Sequence, residues 1–176
     1  NNPAMLRELD GWGRLKTPDV HAEVFKQLTD RLKRSKVTEA NFSSCGIGPV
    51  ALGHLSEWVR EATAEIKLLT LSSTGNMRDQ KTYTLIVGEE KIDLSQKNLG
   101  TADVTLLTIW LQRSEVTATL NSLALGSNQI GDDAMIQLLD VLKDVPLISL
   151  DIPETGCGGP TGAKLVEIVS ADTQLG

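Results

Sequence analysis

One pattern of apolar residues returns five times along this chain and restricts what it can fold into. In residues 121–142, NSLALGSNQIGDDAMIQLLDVL, apolar residues stand eight, five and three positions before Asn128. Ile130 and Gly131 follow two and three positions after it, and Leu138 and Leu142 ten and fourteen positions after it. The alternation before Asn128 is typical of a strand, and the later spacing is typical of a helix. A strand followed by a helix is therefore the unit that this chain repeats.

The same spacing applies without a gap at three other places and less well at a fourth. Copies centred on Cys45 and Thr155 match at every position, and the copy centred on Lys97 fails only at Glu89. A weaker copy is centred on Thr74, where the three strand positions are apolar. Its glycine and helix positions are occupied instead by Met77, Thr84 and Gly88. We therefore expect the second unit to keep its strand and to lose its helix.

With these residues the chain resembles leucine-rich repeat proteins, whose pattern is L-x-x-L-x-L-x-x-N/C-x-L. The stretches IGDDA at 130–134 and LLDVLK at 138–143 are similar to the ribonuclease-inhibitor-like subclass, in which each repeat has a full helix. The resemblance implies an α/β leucine-rich repeat solenoid, a horseshoe arc with a parallel sheet on its concave face and helices on its convex face. We expect about five repeats in a single domain spanning 1–176. Residues 1–36 would form an N-terminal cap or a degenerate repeat, residues 37–176 the repeats, and residues 75–90 an irregular segment.

Composition and charge narrow the classes of partner. The net charge is −6, which argues against nonspecific binding to nucleic acid. No apolar run reaches the roughly 20 residues that a membrane-spanning helix needs. Cys45 and Cys157 fall on strands too distant from each other for a disulfide, and no signal-peptide pattern opens the sequence. Buried, reduced thiols suit a reducing compartment, so we expect an intracellular location, cytoplasmic or organellar.

The sequence contains no constellation that predicts catalysis, a cofactor or a metal site. His21 and His54 fall on separate predicted helices without metal-ligand spacing. The glycine-rich stretch 156–164 invites comparison with a phosphate-binding loop, but Ala163 stands at the second motif glycine and Leu165 at the magnesium-binding Ser/Thr. We therefore expect a protein that is not an enzyme.

The outward-facing strand positions form the predicted concave surface for partner binding. They are small and mildly polar and include no aromatic or arginine residue, although such residues anchor most protein interfaces. Binding through this face is expected to be weak, so the convex helices and the open ends are stronger candidates. The candidate concave-face residues are Glu39, Asn41, Ser43, Thr70, Ser72, Lys91, Asp93, Ser95, Ser122, Ser149 and Asp151.

Two interpretations are open for the irregular segment, residues 75–90. Its YTLIV run, residues 83–87, is β-prone and lacks a helical period. The segment is either a variant repeat with an extended convex stretch or a docking edge for a partner. In the second case Arg78, Lys81 and Tyr83 are the candidate docking residues.

The two ends of the chain bear on its function. Thr17 and Pro18 are expected to open a helix over 17–36, and Leu175 is expected to begin another strand. Without a polar terminal cap, the last core face would be covered by further repeats of a longer solenoid or by another subunit. The leading prediction is a non-enzymatic protein-interaction module or scaffold, for example an accessory subunit of a larger assembly. The alternatives are a regulator of a small GTPase or a ligand-sensing leucine-rich repeat domain, and an enzyme using the 156–162 loop.

Overall fold

The computed structural model describes residues 8–9 and 15–172, and within them the chain alternates short strands with helices. The strands are β1 (Glu8–Leu9), β2 (Leu15–Thr17), β3 (Glu39–Asn41), β4 (Leu68–Ser72), β5 (Thr82–Ile86), β6 (Lys91–Asp93), β7 (Ser122–Ala124) and β8 (Ser149–Asp151). The helices are α1 (Ala22–Leu32), α2 (Pro49–Glu61), α3 (Thr101–Leu111), α4 (Ser114–Thr117), α5 (Asp132–Leu142) and α6 (Gly159–Asp172).

The strands of the described residues belong to three separate sheets. β1 and β2 form an antiparallel pair before α1. The second sheet has the order β3-β4-β5, with β3 parallel and β5 antiparallel to β4. The third sheet has the order β6-β7-β8, and all its strands are parallel.

The prediction of a leucine-rich repeat solenoid, a horseshoe arc of about five repeats around one parallel sheet, is wrong. The described chain is instead a small α/β protein with two three-stranded sheets, one mixed and one parallel. The cause lies in the irregular segment. After β4 the chain turns back, and β5 takes the edge of β4 that the next parallel strand would have used. β6 therefore starts a new sheet.

Individual elements nevertheless lie where the repeated spacing places them. Strands β3, β4, β6, β7 and β8 coincide with the apolar strand positions, and four of them precede a helix. The expected loss of the helix after Thr74 is confirmed, because β5 follows β4 instead. The first long helix starts at Ala22, later than Thr17 and Pro18 suggested, since residues 18–21 form a turn. Leu175 lies outside the described residues.

The core lies between the sheets and the helices. In the described chain α1 packs on α2, α2 on α3, α3 on α5, and α5 on α6. Trp58 and Trp110 are completely buried, so both tryptophans pack in the core. Phe42 contacts the rings of Phe25 and Trp58 edge-to-face, with centroids 5.4 and 6.2 Å away.

Aspartate side chains connect successive units at the starts of the helices. The Asp19 carboxylate accepts hydrogen bonds from the backbone N–H groups of Gly48, Val50 and Ala51, and so caps α2 from the turn before α1. At the start of α3, the Asp103 carboxylate accepts hydrogen bonds from two backbone N–H groups. One belongs to Gly100, just before the helix, and the other to Thr74, in the loop after β4. The helix ends are therefore stabilised partly by residues of neighbouring units.

Candidate functional site

The predicted concave residues form two surfaces rather than one, because β5 lies beyond β4 in its sheet. In the first sheet Asn41 is level with Thr70, and Thr70 is level with Thr84 of β5, to which its hydroxyl is hydrogen-bonded at 3.1 Å. In the other sheet Lys91 is level with Ser122 and Ser149. The single row of recognition positions that the sequence predicts is therefore divided into two short polar faces.

Several residues of the first face are engaged within the protein. Glu39 and Asn41 are exposed, but Oδ1 of Asn41 accepts hydrogen bonds from the N–H and the hydroxyl of Ser43, at 2.9 and 2.7 Å. Ser72 is buried, and its Oγ accepts a hydrogen bond from the N–H of Ser44. The prediction that Ser72 lies on an accessible face is wrong, since only 6% of this residue is exposed.

The second face carries a small exposed charge pair. Nζ of Lys91 lies 3.4 Å from Oδ2 of Asp93, and Oδ1 of Asp93 accepts a hydrogen bond from the N–H of Ser95. The hydrogen bonds from Ser95, together with the neighbouring Lys91, lower the pKa of Asp93. Asp151 is exposed two strands away, on the same side as Asp93. This face is polar, and its exposed side chains include Lys91, Asp93 and Asp151.

The docking segment is only partly accessible. Arg78 and Lys81 are exposed, and Nζ of Lys81 donates to the carbonyl of Gln96 at 3.3 Å. Tyr83 is 3% exposed, and its hydroxyl donates to Oδ1 of Asp103 at 3.0 Å. The prediction that Tyr83 docks a partner is wrong, because the β-strand alternation of β5 directs Tyr83 and Leu85 into the core.

A polar cleft of about 330 Å³ opens beside this segment, where the loops after β4 and β6 meet. Side-chain amide groups of the cleft are hydrogen-bonded within the protein. Nδ2 of Asn98 donates to the carbonyls of Asn76 and Asp79. Buried Asn128 likewise bonds to the backbone that follows β6, at Leu94 and Leu99, and to the backbone that follows β7, at Leu125. The residues that line the cleft are Asp79, Lys81, Gln96, Asn98, Ser127, Asn128 and Gln129. The hydroxyl of Ser127, which lines the cleft, donates to Oε2 of Glu154 at 3.0 Å.

The glycine-rich loop before α6 is occupied by a side chain of the protein. The Asp132 carboxylate accepts hydrogen bonds from the N–H groups of Gly158 and Thr161, at 2.9 and 3.2 Å, and from the Thr161 hydroxyl at 2.6 Å. The hydroxyl of Thr161 and the N–H of Gly158 lower the pKa of Asp132, which favours the carboxylate. Asp132 begins α5, so this contact connects the start of one helix with the start of the next. An anionic ligand at this loop would have to displace Asp132.

Other chemical features of the described residues are few. Within residues 8–9 and 15–172, no group of three or more His, Cys, Asp and Glu side chains is arranged to hold a metal ion. Cys45 and Cys157 are half-buried and not linked in a disulfide, so the expectation of fully buried thiols is wrong. In this same part of the chain, no helix combines the length and the apolar character needed to cross a bilayer.

An exposed apolar surface lies at β8 and α6. Leu123 and Leu125 of the β7 unit are fully buried, whereas the equivalent Leu150 and Ile152 of the β8 unit are only half-buried. Ile148, just before β8, is 84% exposed. On α6 a similar change occurs: Leu138 and Leu139 of α5 are buried, whereas the equivalent Leu165 is half-buried and Val166 is 66% exposed. Ile168 is half-buried, as is its equivalent Val141. We name this surface the β8–α6 face and define it by Ile148, Leu150, Ile152, Leu165, Val166 and Ile168.

The physical reason for this exposure is visible in the preceding unit. β7 and α5 are buried because β8 and α6 pack against them. No described residue packs in this way against the outer side of β8 and α6.

Comparison of the chain with protein-family models and with curated proteins finds no match.

Proposed function

We propose that this chain is a non-enzymatic protein-interaction module and that it binds its partner through the β8–α6 face. The observation that carries the proposal is the contrast between two equivalent units. The apolar side chains of β7 and α5 are buried, whereas those of β8 and α6 are not. Six apolar side chains of the β8–α6 face remain accessible, beside a strand edge that has no neighbour in the described chain. Contiguous apolar surface of this kind is typical of protein contact sites.

Two further observations support this proposal over the others. The polar strand faces offer only small side chains and one exposed charge pair, so they supply little of the apolar burial that stabilises protein complexes. The loop at 156–162 uses its amide groups for Asp132, so it is a poor phosphate cradle. The half-buried cysteines, which form no disulfide with each other, support a reducing compartment, and we propose that the chain works inside the cell.

The proposal is tested by capturing proteins from extracts of the source cells with the wild-type chain and three variants. Ile148→Lys and Val166→Lys each place a charge on the β8–α6 face, and Val50→Lys places the same charge on exposed Val50 of α2 as a matched control. All three side chains are more than half exposed, so we expect the three variants to unfold at similar temperatures.

A partner that uses this face should bind the wild-type chain and the Val50→Lys control, and should be lost from the other two variants. The captured protein is then purified, and its affinity for each form is measured by isothermal titration calorimetry. Equal affinity for all forms, or no specific capture, would contradict the proposal.

A further inference from the structure

One short stretch of the chain is much more basic than the rest. Residues 26–36, KQLTDRLKRSK, contain five basic side chains and one acidic side chain. The whole chain has a net charge of −6, and residues 68–176 contain twice as many acidic as basic side chains. The stretch therefore places local positive charge on an acidic protein.

Two of the five basic side chains hold the structure together. Nζ of Lys26 and Nζ of Lys33 lie 2.6 and 2.9 Å from the carboxylate oxygens of Asp30. Nζ of Lys33 also lies 3.2 Å from Oε2 of Glu61, so this lysine connects the end of α1 to the end of α2. Only 19% of the Lys33 side chain is exposed, which fits a structural role.

The other three, Arg31, Arg34 and Lys36, form no such contacts. All three are exposed, and within residues 8–9 and 15–172 no carboxylate forms an ion pair with any of them. The helix dipole favours a cation in the last turn of a helix, which accounts for Arg31 in α1. It does not account for Arg34 and Lys36, because α1 ends at Leu32 and the effect is confined to the last turn.

A fourth exposed cation, Lys67, lies at the same end of the sheet formed by β3, β4 and β5. The N–H of Lys67 donates to the carbonyl of Thr38 at 2.6 Å, so the residues just before β4 run beside those just before β3. The two strands are parallel, which keeps their starting ends together. Among the described residues Lys67 also has no carboxylate partner. We name this surface the basic edge and define it by Arg31, Arg34, Lys36 and Lys67.

We propose that the basic edge binds an acidic segment of a partner protein, in which carboxylates lie close together. This surface is separate from the β8–α6 face, because α2, α3 and α5 lie between α1 and α6, so the proposal does not depend on that face. A guanidinium group binds a carboxylate through two parallel hydrogen bonds and keeps its charge at physiological pH. The N–H of Arg34 donates to the carbonyl of Arg31, so the turn continues past α1 and places the two arginines at neighbouring positions.

The distribution of charge favours an acidic protein segment over a nucleic acid or a membrane. A nucleic acid or an anionic bilayer presents negative charge over a surface larger than four side chains. Such a ligand would also approach the exposed carboxylates of Glu39, Glu61 and Glu65, which flank the basic edge along the chain. The net charge of the chain would repel it as well. A short acidic segment binds the four cations without approaching these carboxylates.

The proposal is tested with a fluorescently labelled oligo-glutamate peptide, whose binding to the full chain is measured by fluorescence anisotropy. We expect saturable binding that weakens by about tenfold when the salt concentration rises from about 50 mM to about 300 mM, because exposed ion pairs are screened. An oligo-glutamine peptide of the same length should not bind. Absence of oligo-glutamate binding at low salt would overturn the proposal.

A matched pair of charge reversals tests the position of the site. Arg34→Glu should raise the dissociation constant of the peptide about fivefold. Lys143→Glu makes the same change at the end of α5, also at an exposed position, and should change the dissociation constant by less than about twofold. Equal affinity of these two variants would overturn the proposal.

Thermal unfolding separates binding from structural effects. Neither Arg34 nor Lys143 forms an ion pair in the described chain, so we expect both charge reversals to unfold at the temperature of the wild type. Lys33→Gln breaks the contacts with Asp30 and Glu61, so it should lower the unfolding temperature and affect peptide binding less than Arg34→Glu does.

Two further ligands and one further variant distinguish this proposal from the alternatives. Single-stranded RNA and vesicles that contain phosphatidylserine are titrated against the same variants. If either binds at least as tightly as the peptide and loses affinity in Arg34→Glu, the acidic-segment proposal is overturned. Ile148→Lys should leave peptide binding unchanged, so a failure of the basic edge leaves the β8–α6 proposal standing, and a failure of the β8–α6 face leaves this one standing.

Discussion

The hydroxyl of Tyr83 donates a hydrogen bond to Oδ1 of Asp103 at 3.0 Å, and both side chains are buried. This contact joins β5, the last strand of the mixed sheet, to α3, the helix that follows the first strand of the parallel sheet. Burial, reinforced by the neighbouring carboxylate, raises the pKa of Tyr83 well above its usual value, so the hydroxyl keeps its proton and remains a donor. Burial also raises the pKa of Asp103, against the opposing effect of hydrogen bonds from Gly100 and Thr74.

Asp103 is predicted to contribute more to stability than any exposed aspartate. Its carboxylate accepts from the N–H and hydroxyl of Thr74, the N–H of Gly100 and the hydroxyl of Tyr83. Asp103→Ala leaves these four donors buried without an acceptor, so we expect the free energy of unfolding to fall by about 3 kcal/mol. Tyr83→Phe removes one donor and should cost about 1 kcal/mol. Urea unfolding measures both changes, with Asp144→Ala at an exposed position as the control. Equal losses for Asp103 and Asp144 would contradict the prediction.

Asn128 is predicted to hold the ends of β6 and β7 together. Its Nδ2 donates to the carbonyls of Leu94 and Leu125, at 2.9 and 2.6 Å, and its Oδ1 accepts from the N–H of Leu99 at 2.9 Å. Asn128→Ala should lower the free energy of unfolding by about 2–3 kcal/mol, because these buried backbone groups lose their partner. The exposed Asn121 provides a matched control, for which Asn121→Ala should change the same quantity by less than about 0.5 kcal/mol. Denaturant unfolding of the two variants measures both free energies. A small loss of unfolding free energy for Asn128→Ala would show that water replaces the side chain.

Two glycine-to-alanine substitutions are predicted to change stability in opposite directions. A Cβ at Gly75 would lie 2.5 Å from the carbonyl oxygen of Asn98 and 2.8 Å from the carbonyl carbon of Leu99. Backbone atoms cannot move aside cheaply, so Gly75→Ala should cost about 1–3 kcal/mol. Gly53 is inside α2 and has no atom within 4 Å of such a Cβ, so Gly53→Ala should stabilise the protein by about 0.5–1 kcal/mol. Thermal and urea unfolding measure the change in stability of each variant. If both variants gained stability, or both lost it, the prediction would be refuted.

Asp30 is predicted to make stability depend on acid pH. Hydrogen bonds from Lys26 and Lys33, whose Nζ atoms lie 2.6 and 2.9 Å away, lower its pKa from 3.8 to about 2. A carboxylate whose pKa is lower in the folded state stabilises the fold above its unfolded pKa, and this contribution is lost as the pH falls through the folded pKa. The stability difference between wild type and Asp30→Asn should therefore be constant above about pH 5 and disappear between about pH 4 and pH 2.

The measurement for Asp30 is urea unfolding at a series of pH values, at low and high salt. Because the side chain is exposed, added salt should reduce the difference between the two proteins. Asp144→Asn, at an exposed position, serves as the control and should follow the wild type across this range. A difference that persists unchanged at pH 2 would show that Asp30 acts through packing and not through its charge.

Much of the local structure could be read from the repeated spacing. The strands around Leu123 and Leu150 and the helix containing Leu138 occupy the positions that the apolar pattern indicates. The absence of a helix after Thr74 was also visible, because Met77, Thr84 and Gly88 interrupt the pattern. These features depend on residues that are close in sequence, so their periodicity records them directly.

The candidate site was less predictable. Tyr83 was expected at the surface, yet it pairs with a carboxylate twenty residues later in the chain. Asp132 begins α5, yet its carboxylate caps α6. Both contacts join residues that are distant in sequence, and the sequence pattern around each residue is the same whether or not the distant partner is present.

The sequence by itself determined the period of the chain, the positions of the strands and helices and the residues of each core face, because alternation and helical spacing are local properties. Only the tertiary structure decided how the strands associate. β5 and β6 compete for the same edge of β4, and the antiparallel return of β5 takes it because a short turn brings β5 there first in chain order. That one pairing divides the strands into two sheets, while Leu150 and Ile152 remain half-buried at the open edge of β8.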